Sequence, residues 1–499
     1  MGLSRSQEKA KKALKSGKNI CLMGEAGTGK THVLNDYINE SIADGKNVIV
    51  TAPTGIAALN LDGITMHNAF AIPIPAYGYY DFNIVLSKIK DIMLADIIVI
   101  DEISMCRNDV FEYFHMVVRR IEKERGIKIQ IIVSGDFFQL PPIVKADELS
   151  KFKRLYLDAS GYCFTTPAWK DFKFKTIILT DVMRQDDNML VDNLNALRKG
   201  SSKCLDYFNA RVIKDDTILP DNAMFICATN AEVDRINDAE LAKIDGPNCV
   251  YKAFRKGFCA KEYTVDDILI LKNNAKIMFM ANDLINDDYR NGQLGIIKEC
   301  KESSVIITTN DGKEVEVKPY RWANNKISVV NGMTTKKVIG EYFQLPIKLA
   351  YATTMHKTQG QTYDNAIVSP NSFADGQLYV ALSRITSLDG LFLTEPILPE
   401  YIKVNPLVLK FYEGSYVVPE TRIKHKKELA KKALQKHNEK KKKAKKKKSI
   451  ATKKPVAKKK TNKTVTTKKS KTKKAVTKKT MSKKKTAACK KSSTTRKKK

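Results

Sequence analysis

A short run of glycines with one lysine, near the start of the chain, has the composition of a phosphate-binding loop. The stretch GEAGTGKT fits the pattern G-x-x-x-x-G-K-[ST] without a mismatch. Glycines let successive backbone N–H groups turn towards phosphate oxygens, and the helix that follows presents its positive end to the same anion. We therefore predict that the residues of this stretch bind a nucleotide: Gly24, Glu25, Ala26, Gly27, Thr28, Gly29, Lys30 and Thr31.

An acidic pair further along the chain would turn nucleotide binding into hydrolysis. Lys30 is placed to reach the β- and γ-phosphates, and Thr31 to offer its hydroxyl to Mg²⁺. The apolar run IIVI is followed directly by Asp101 and Glu102. Asp101 would hold the metal ion, and Glu102 would accept the proton of the attacking water. A protein that only binds the nucleotide needs no such base, so the pair favours a nucleotide hydrolase.

Three further side chains separate a motor from a nucleotide kinase, which also has a phosphate-binding loop. Gln139, in SGDFFQLPP, follows a predicted strand and would face the γ-phosphate. Arg184, in MRQ, and Arg384, in ALSR, would stabilise the charge that spreads over the transferred phosphoryl group. A polar sensor in the cleft, together with arginines from a second domain, is typical of a motor.

Parallel strands and the helices between them are the elements that must position these side chains. Apolar strands are predicted at residues 19–23, 47–53, 96–100 and 128–135, and a helix at residues 31–42. Ligands bind at the carboxyl ends of such strands. Residues 267–343 change to short alternating strands with Asn-Gly and Asp-Gly turns, which indicate a small β-barrel-like insertion. A second α/β segment runs from residue 346 to about residue 394.

The net charge of the chain is concentrated at its C-terminal end. Residues 424–499 contain 35 Lys, one Arg and two Glu, which account for the whole formal charge of +34, so residues 1–423 are formally neutral. This tail lacks the apolar residues that would offset the entropy of folding, and we expect it to be disordered. A polycation this dense binds polyanions by releasing counterions, which predicts contact with nucleic acid and is compatible with nuclear import.

The remaining composition excludes two classes of protein. The apolar runs are too short for the roughly 20 residues that span a bilayer, so we expect a soluble protein that does not contact membranes. The nine cysteines are scattered without a C-x-x-C pair. We therefore expect reduced, mostly buried thiols rather than a disulfide framework or a zinc site.

In their order along the chain, these motifs resemble those of the Pif1 family of superfamily 1B DNA helicases. The resemblance covers roughly residues 3–394. LSRSQ resembles the adenine-reading motif, VIDEISM the acidic motif, and CRNDVFEYFHMVVRRI the segment that distinguishes Pif1-like proteins. The other matching segments are residues 51–70, GDFFQLPP, LTDVMRQ, residues 352–368 and residues 376–391. The departures are Met183, where the family usually has Phe, and Pro53, where a small residue is common.

The resemblance implies an α/β fold of two RecA-like P-loop NTPase domains with ATP between them. The first domain would span residues 1–180, with a small wedge insertion at about residues 71–93. The second would comprise residues 181–266 and 346–423, interrupted by an SH3-like β-barrel insertion at residues 267–345. The disordered tail would occupy residues 424–499.

The resemblance also extends the set of site residues. Gln7 would read the adenine, and Gly360, in HKTQG, would lie near the nucleotide. Thr54, His67 and His356 would contact single-stranded DNA, although His67 is also consistent with a packed histidine at a helix end. The aromatic stretch AIPIPAYGYYDF lies where the family keeps its wedge, and its rings would either stack on bases or pack within the fold.

These observations predict an ATP-dependent DNA helicase that moves 5′ to 3′ on single-stranded DNA and opens single-strand/duplex junctions, with ATP and Mg²⁺ as cofactors. We expect a monomer that serves replication, repair, recombination or telomere maintenance in a nucleus or a viral replication compartment. Two alternatives remain open. One is a RecD- or Dda-like helicase of the same superfamily. The other is a DNA-condensing packaging protein in which the tail acts and the motor is vestigial.

Overall fold

The structure, a computed structural model, describes residues 3–451 apart from residues 60, 85–86, 88, 185–186, 258–262, 264, 284–285, 287 and 331–332. The chain divides into a large unit, Met1–Asn438, and a C-terminal unit that begins at Glu439. The greater part of the predicted tail, residues 452–499, lies outside the described residues.

A parallel sheet carries the phosphate-binding loop. Its strands are β1 (Ile20–Gly24), β2 (Val48–Ala52), β3 (Ile64–Thr65), β4 (Ile97–Ile100), β5 (Gln130–Gly135) and β6 (Lys175–Leu179), paired in the order β3-β2-β4-β5-β1-β6. Alternate residues of β1 enter different apolar clusters: Ile20 and Leu22 pack on one face, and Cys21 and Met23 on the other. Burial on both faces explains why these strands read as continuous apolar runs.

Helices pack against both faces of this sheet. They are α1 (Arg5–Leu14), α2 (Lys30–Ala43), α3 (Gly55–Leu59), α4 (Met66–Ala69), α5 (Asn108–Arg125), α6 (Leu149–Tyr156) and α7 (Pro167–Phe172). The four strands and the helix predicted from the sequence in this part of the chain are all confirmed, with ends shifted by no more than two residues.

A second α/β region follows along the chain, and a β-rich insertion interrupts it. The region begins with α8 (Asn188–Arg198), α9 (Leu205–Asn209), β7 (Met224–Cys227) and α10 (Asn230–Ala242). The insertion consists of β8 (Cys249–Lys252), β9 (Phe254–Gly257), β10 (Ile268–Leu271), β11 (Lys276–Phe279), β12 (Leu294–Cys300), β13 (Val305–Thr309), β14 (Glu314–Val317), β15 (Tyr320–Val330), β16 (Met333–Gln344) and β17 (Ile347–Leu349).

Antiparallel pairing confirms the insertion but corrects its limits. The strands form the sets β14-β13-β12-β11-β17, β15-β16-β9 and β10-β8. Because β8 and β9 pair with later strands, the insertion begins at Cys249 and not at residue 267. Its end also lies beyond residue 345, since β17 pairs with β11. Tyr251 of β8 is buried in the same apolar cluster as Leu269, which is why these early strands belong to the insertion.

The second sheet is completed after the insertion. Its later elements are β18 (Ala352–Thr354), β19 (Ala366–Val368), α11 (Gln377–Leu382) and β20 (Leu391–Leu393). The strands pair in parallel in the order β18-β7-β19-β20. The described chain thus has two parallel sheets with helices, as the predicted α/β fold class requires.

The assignment of all residues up to 423 to the second domain is wrong. Helix α12 (Pro406–Tyr412) packs on the core of the first sheet, with Phe411 against Phe137, Phe164 and Trp169. Aromatic burial of this size contributes strongly to stability, so the chain returns to the first sheet once the second is complete.

The prediction of a disordered tail from residue 424 is also wrong for its first part. A helix, α13 (Glu420–Ala451), covers residues 420–451. Within the large unit it is held by Arg422, which donates to Asp158 Oδ2 at 3.2 Å, and by an ion pair between Lys426 and Glu112. The sequence alone hides these partners, because they lie on α5 and the loop after α6. None of the described helices combines the length and apolar character needed to cross a membrane.

The described residues of the predicted wedge region include short 3₁₀ turns at Asp81–Asn83 and Lys90–Ile92. Its rings pack within the fold: Tyr77 on Phe152, Tyr79 on Tyr113, and Phe82 on His437 of α13. Ile74 in the same stretch is 86% exposed. The packing alternative therefore holds for these three rings.

Candidate active site

The loop between β1 and α2 has a backbone that only glycine adopts easily. Gly27 and Gly29 have φ values of 81° and 76°, in the left-handed region. A Cβ atom on Gly24 would lie 2.6 Å from Thr28 Oγ1, which itself donates to the Glu25 carbonyl at 2.9 Å. The loop therefore curls tightly in front of the N-terminus of α2, as a phosphate site requires.

Lys30 is held on the carbonyl groups of this loop. Its Nζ donates to the carbonyl oxygens of Gly24 and Glu25, at 3.0 and 2.8 Å. Burial lowers the pKa of Lys30, and the nearby carboxylates of Asp136, Glu102 and Asp101 oppose that shift. From this position the Lys30 ammonium group can exchange its carbonyl acceptors for phosphate oxygens without a large movement.

The acidic pair follows β4, as predicted. Asp101 is 5% exposed, and burial raises its pKa. Glu102 has a φ of 50°, an unusual conformation for a residue with a side chain. Burial and the neighbouring charge of Asp101 raise the pKa of Glu102 to about 7. A carboxylate with this pKa is matched to proton abstraction near neutral pH.

Gln359, a residue that sequence reasoning missed, connects the two sheets at this base. It lies in the loop after β18, and its Nε2 donates to Glu102 Oε2 at 2.9 Å. The same nitrogen is 3.3 Å from Gln139 Oε1. The signal was present in HKTQG, where His356 was assigned to DNA and Gly360 to the nucleotide but Gln359 was given no role; Gly360 has a φ of 83°. The structure thus brings Glu102 and Gln139 together through an amide from the second sheet.

The two predicted arginines lie close together beside α11. Arg184 Nη1 donates to the Ser383 carbonyl at 3.0 Å. Arg384 is 2% exposed, and its Nε and Nη2 donate to the Val380 carbonyl and Ser383 Oγ, both at 2.9 Å. Burial lowers the pKa of both guanidinium groups, that of Arg384 to about 10, and the nearby charge of Arg184 adds to the shift of Arg384.

Neither of these arginines has a carboxylate within 4 Å among the described residues. Buried cations without an anionic partner are costly, since the desolvation of the charge is not offset. A polyphosphate entering the cleft would supply the missing negative charge.

Tyr379 of α11, also missed from the sequence, touches the phosphate-binding loop directly. Its buried hydroxyl accepts a hydrogen bond from the Ala26 N–H at 3.2 Å. At the start of the same helix, a Cβ atom on Gly376 would overlap the Phe138 carbonyl oxygen. The two sheets therefore meet in close contact at the loop.

Gln7 contacts the back of the loop. Its Nε2 donates to the Thr28 carbonyl at 3.1 Å, and its Oε1 accepts from the Ser4 N–H at 2.9 Å as part of the capping box of α1. The side chain would clash with a Cβ atom on Gly29. This position is compatible with adenine recognition, which stays a prediction.

The residues predicted to hold Mg²⁺ lie at the expected ends of α2 and β4. Thr31 is the second residue of α2 and is exposed, and Asp101 directly follows β4. Across the described ranges no three His, Cys, Asp or Glu side chains form a cluster that could hold a metal ion alone. The donor set fits an ion that arrives with the phosphates of a nucleotide.

The three predicted DNA contacts follow strands that lie at an edge of a sheet or next to one. Thr54 and His67 each stand two residues after a paired position, Ala52 of β2 and Thr65 of β3. His356 stands two residues after the end of β18, the edge strand of the second sheet. Burial lowers the pKa of both histidines. All three residues therefore lie at carboxyl ends of strands, and DNA contact stays a prediction.

Comparisons with known proteins agree with this geometry. The sequence model of a family described as PIF1-like helicase matches residues 2–211. The ATP-dependent DNA helicase Pif1 of Campylobacter jejuni is 30% identical over 436 residues, which cover 79% of this chain and 94% of that protein.

Solved structures of Bacteroides Pif1 have the same fold. The crystal structure of Bacteroides sp Pif1 in complex with ADP-AlF4 gives a TM-score of 0.74 at 29% identity, over 83% of this chain and 97% of that chain. Bacteroides Pif1 bound to ssDNA gives a TM-score of 0.61 at 30% identity, over the same shares of the two chains. These matches confirm the RecA-like fold class and decide against the RecD- or Dda-like alternative. The chain belongs to the Pif1-like family of ATP-dependent DNA helicases.

Proposed function

We propose that the protein hydrolyses ATP with Mg²⁺ in the cleft between its two sheets, and so moves 5′ to 3′ along single-stranded DNA and displaces the other strand. The observation that carries the proposal is the Gln359 amide, which comes from the second sheet and bonds to the base Glu102 and to Gln139 of the first. Because Glu102 receives this hydrogen bond only when the two sheets are in contact, hydrolysis would be coupled to the movement of the sheets.

In this proposal each side chain of the cleft has a separate task. Lys30 exchanges its loop carbonyls for the β- and γ-phosphates, and Glu102 takes a proton from water that Gln139 orients. Arg184 and Arg384 stabilise the charge of the transferred phosphoryl group. Thr31 and Asp101 would hold Mg²⁺, which when bound offsets the charge of the phosphates.

We assign the first sheet with α12 to one motor domain, the second sheet to the other, and residues 249–349 to an insertion in the second. Opening and closing of the cleft would move the domains along the strand. Thr54 and His67 would contact DNA from the first domain, and His356 from the second. The direction of movement rests on the family resemblance alone.

The proposed assembly is a monomer whose lysine-rich tail adds contacts to the phosphate backbone. Five of the six lysines between residues 424 and 436 are exposed, the exception being Lys426, which pairs with Glu112. Such a charge favours DNA over any neutral partner. It also suits a nucleus or a viral replication compartment, the locations that we propose.

The alternative of a DNA-condensing protein with a vestigial motor does not explain the features of the candidate active site. A vestigial motor has no need of a base with a raised pKa, nor of two arginines, Arg384 buried and Arg184 half-buried, that have no carboxylate partner in the part of the chain that the structure describes. Those features destabilise a protein that gains nothing from them.

Strand displacement tests the proposed function. Duplexes with a 5′ tail and with a 3′ tail would be incubated with ATP and Mg²⁺, and the released strand measured. We expect release from the 5′-tailed substrate alone, and none with Lys30→Ala, which should still bind DNA because Lys30 faces the phosphates of ATP. Release by Lys30→Ala, or preference for the 3′ tail, would contradict the proposal.

A further inference from the structure

A buried ion pair joins the two sheets next to the phosphate-binding loop. Arg198 Nε and Nη2 donate to Asp136 Oδ2 and Oδ1, at 3.1 and 2.8 Å. Asp136 is fully buried and Arg198 is 5% exposed. Burial opposes both charges, but each partner outweighs it, so the pKa of Asp136 is lowered and that of Arg198 is raised. Such a pair is costly to break, since removal of one partner leaves an uncompensated buried charge.

The two partners belong to different sheets. Arg198 is the last residue of α8, whose Leu190 and Leu194 are buried in the core of the second sheet. Asp136 directly follows β5 of the first sheet. The pair therefore reports whether the second sheet is docked on the first.

Aromatic rings fix the orientation of the guanidinium group. Phe138 and Tyr412 stack with ring centres 4.6 Å apart, and the Arg198 guanidinium carbon lies 4.2 and 5.1 Å from those centres. The Tyr412 hydroxyl donates to Asp136 Oδ1 at 2.9 Å and accepts from the Phe137 N–H at 3.2 Å. A planar cation is held here, where a lysine could offer only a point charge.

This pair is connected to the base by a single turn of backbone. The Gln139 N–H donates to the Asp136 carbonyl at 3.0 Å. Gln139 Oε1 in turn faces Gln359, which bonds to Glu102. Arg198 also approaches the phosphate-binding loop, with Nη1 3.8 Å from Glu25 Oε1. A shift of Asp136 would therefore move Gln139 relative to the base.

We propose that Arg198 is a positioning residue for ATP hydrolysis: by binding both oxygens of Asp136, it fixes the turn that carries Gln139 when the second sheet is docked. Gln139 and Gln359 then meet at Glu102 in a defined geometry. The inference rests on the proposed function and adds the residue that senses domain closure.

The test uses Arg198→Lys and Asp136→Asn in the full chain, with DNA-stimulated ATPase activity as the readout. Lys keeps the charge but cannot form two parallel bonds, and Asn keeps the shape but loses the charge. We expect each change to lower kcat by about 10- to 100-fold, the cost of a small misplacement in an active site. The Kd for ADP should change by less than about threefold, because neither residue is among those placed at the phosphates.

A double variant separates positioning from a general loss of stability. If Arg198 acts through Gln139, the double variant Arg198→Lys/Gln139→Ala should lose no more kcat than the single variant Gln139→Ala. Losses that multiply would overturn the inference, because two independent defects would then be present. A kcat within about twofold of the parent for Arg198→Lys would overturn it equally.

Arg211→Ala is the matched control. Arg211 donates to the carbonyl oxygens of Leu391 and Asp389, at 3.0 and 2.6 Å, and its guanidinium carbon lies 5.5 Å from the Phe392 ring centre. All these contacts stay within the second-sheet region, so the change should lower Tm and leave kcat unchanged. The parent protein and Lys30→Ala are assayed in the same experiment. If the parent has no ATPase activity, or if Lys30→Ala keeps that activity, the proposed function itself has failed and not the Arg198 inference alone.

Discussion

At the scale of single residues, the chemistry depends on which form Glu102 takes at a given pH. Its pKa is raised to about 7, first by burial and then by the charge of Asp101. A general base works only when it is ionised. Below pH 7 the folded enzyme therefore carries mostly protonated Glu102, and activity is lost as pH falls; above pH 7 it is ionised and activity levels off.

The hydrogen bond from Gln359 favours the ionised form of Glu102, since an amide N–H donates to a carboxylate. Gln359→Ala should therefore move the midpoint of the kcat–pH profile to a higher pH, in addition to lowering kcat. Steady-state ATPase assays at saturating DNA between pH 5.5 and about 9 would measure the shift. Gln361→Ala is the control, because Gln361 lies on the same loop but faces Gly292. An unshifted midpoint in Gln359→Ala would mean that another group activates the water.

The two arginines should affect the transition state more than the bound substrate. Arg184 and Arg384 lack a carboxylate partner among the described residues, and in the proposed mechanism they stabilise the transferred phosphoryl group. Replacing either by Ala should lower kcat by about 100- to 1,000-fold with a small change in KM for ATP. A raised KM with an unchanged kcat would show that the arginine binds only the ground state.

At the scale of elements, α13 is expected to be a structural part of the large unit as far as Asn438. Its first turns are held by Arg422 on Asp158 and by Lys426 on Glu112, and His437 packs on Phe82. A chain that ends after residue 419 should have a Tm lower by more than about 5 °C, whereas a chain that ends after residue 438 should keep the Tm of the full protein. Thermal unfolding followed by circular dichroism measures both; equal Tm values for the two truncations would mean that the helix contributes no stability.

The elements that the sequence predicted well are those with local signals. The strand β1, the glycine loop and α2 follow from a short motif and an apolar period, and so do β4 and the acidic pair after it. The elements that it misplaced, β8, α12 and α13, are defined by partners distant in the chain. Gln359, Tyr379 and Arg198 were missed for the same reason, since their roles arise only where the two sheets meet.

At the scale of the whole molecule, the excess positive charge and the candidate active site lie in different parts of the chain. Residues 1–423 are formally neutral, and the excess of lysine lies beyond them. Since α13 packs on the large unit up to His437, the place to separate the two functions is after residue 438 and not after residue 423. Truncation there should preserve kcat at saturating DNA and raise the DNA concentration that gives half-maximal activity.

The effect of this truncation should depend on salt. Each phosphate that the tail neutralises adds roughly 0.7 to 0.9 to the slope of log K against log salt concentration. The affinity of the full chain for DNA should thus fall more steeply with ionic strength than that of the chain ending at residue 438. Fluorescence anisotropy with a labelled oligonucleotide, over a series of NaCl concentrations, would give both slopes. Equal slopes would show that the lysines beyond residue 438 do not contact DNA, and the remaining basic groups, such as the exposed lysines of α13 between residues 424 and 436, would then account for the affinity.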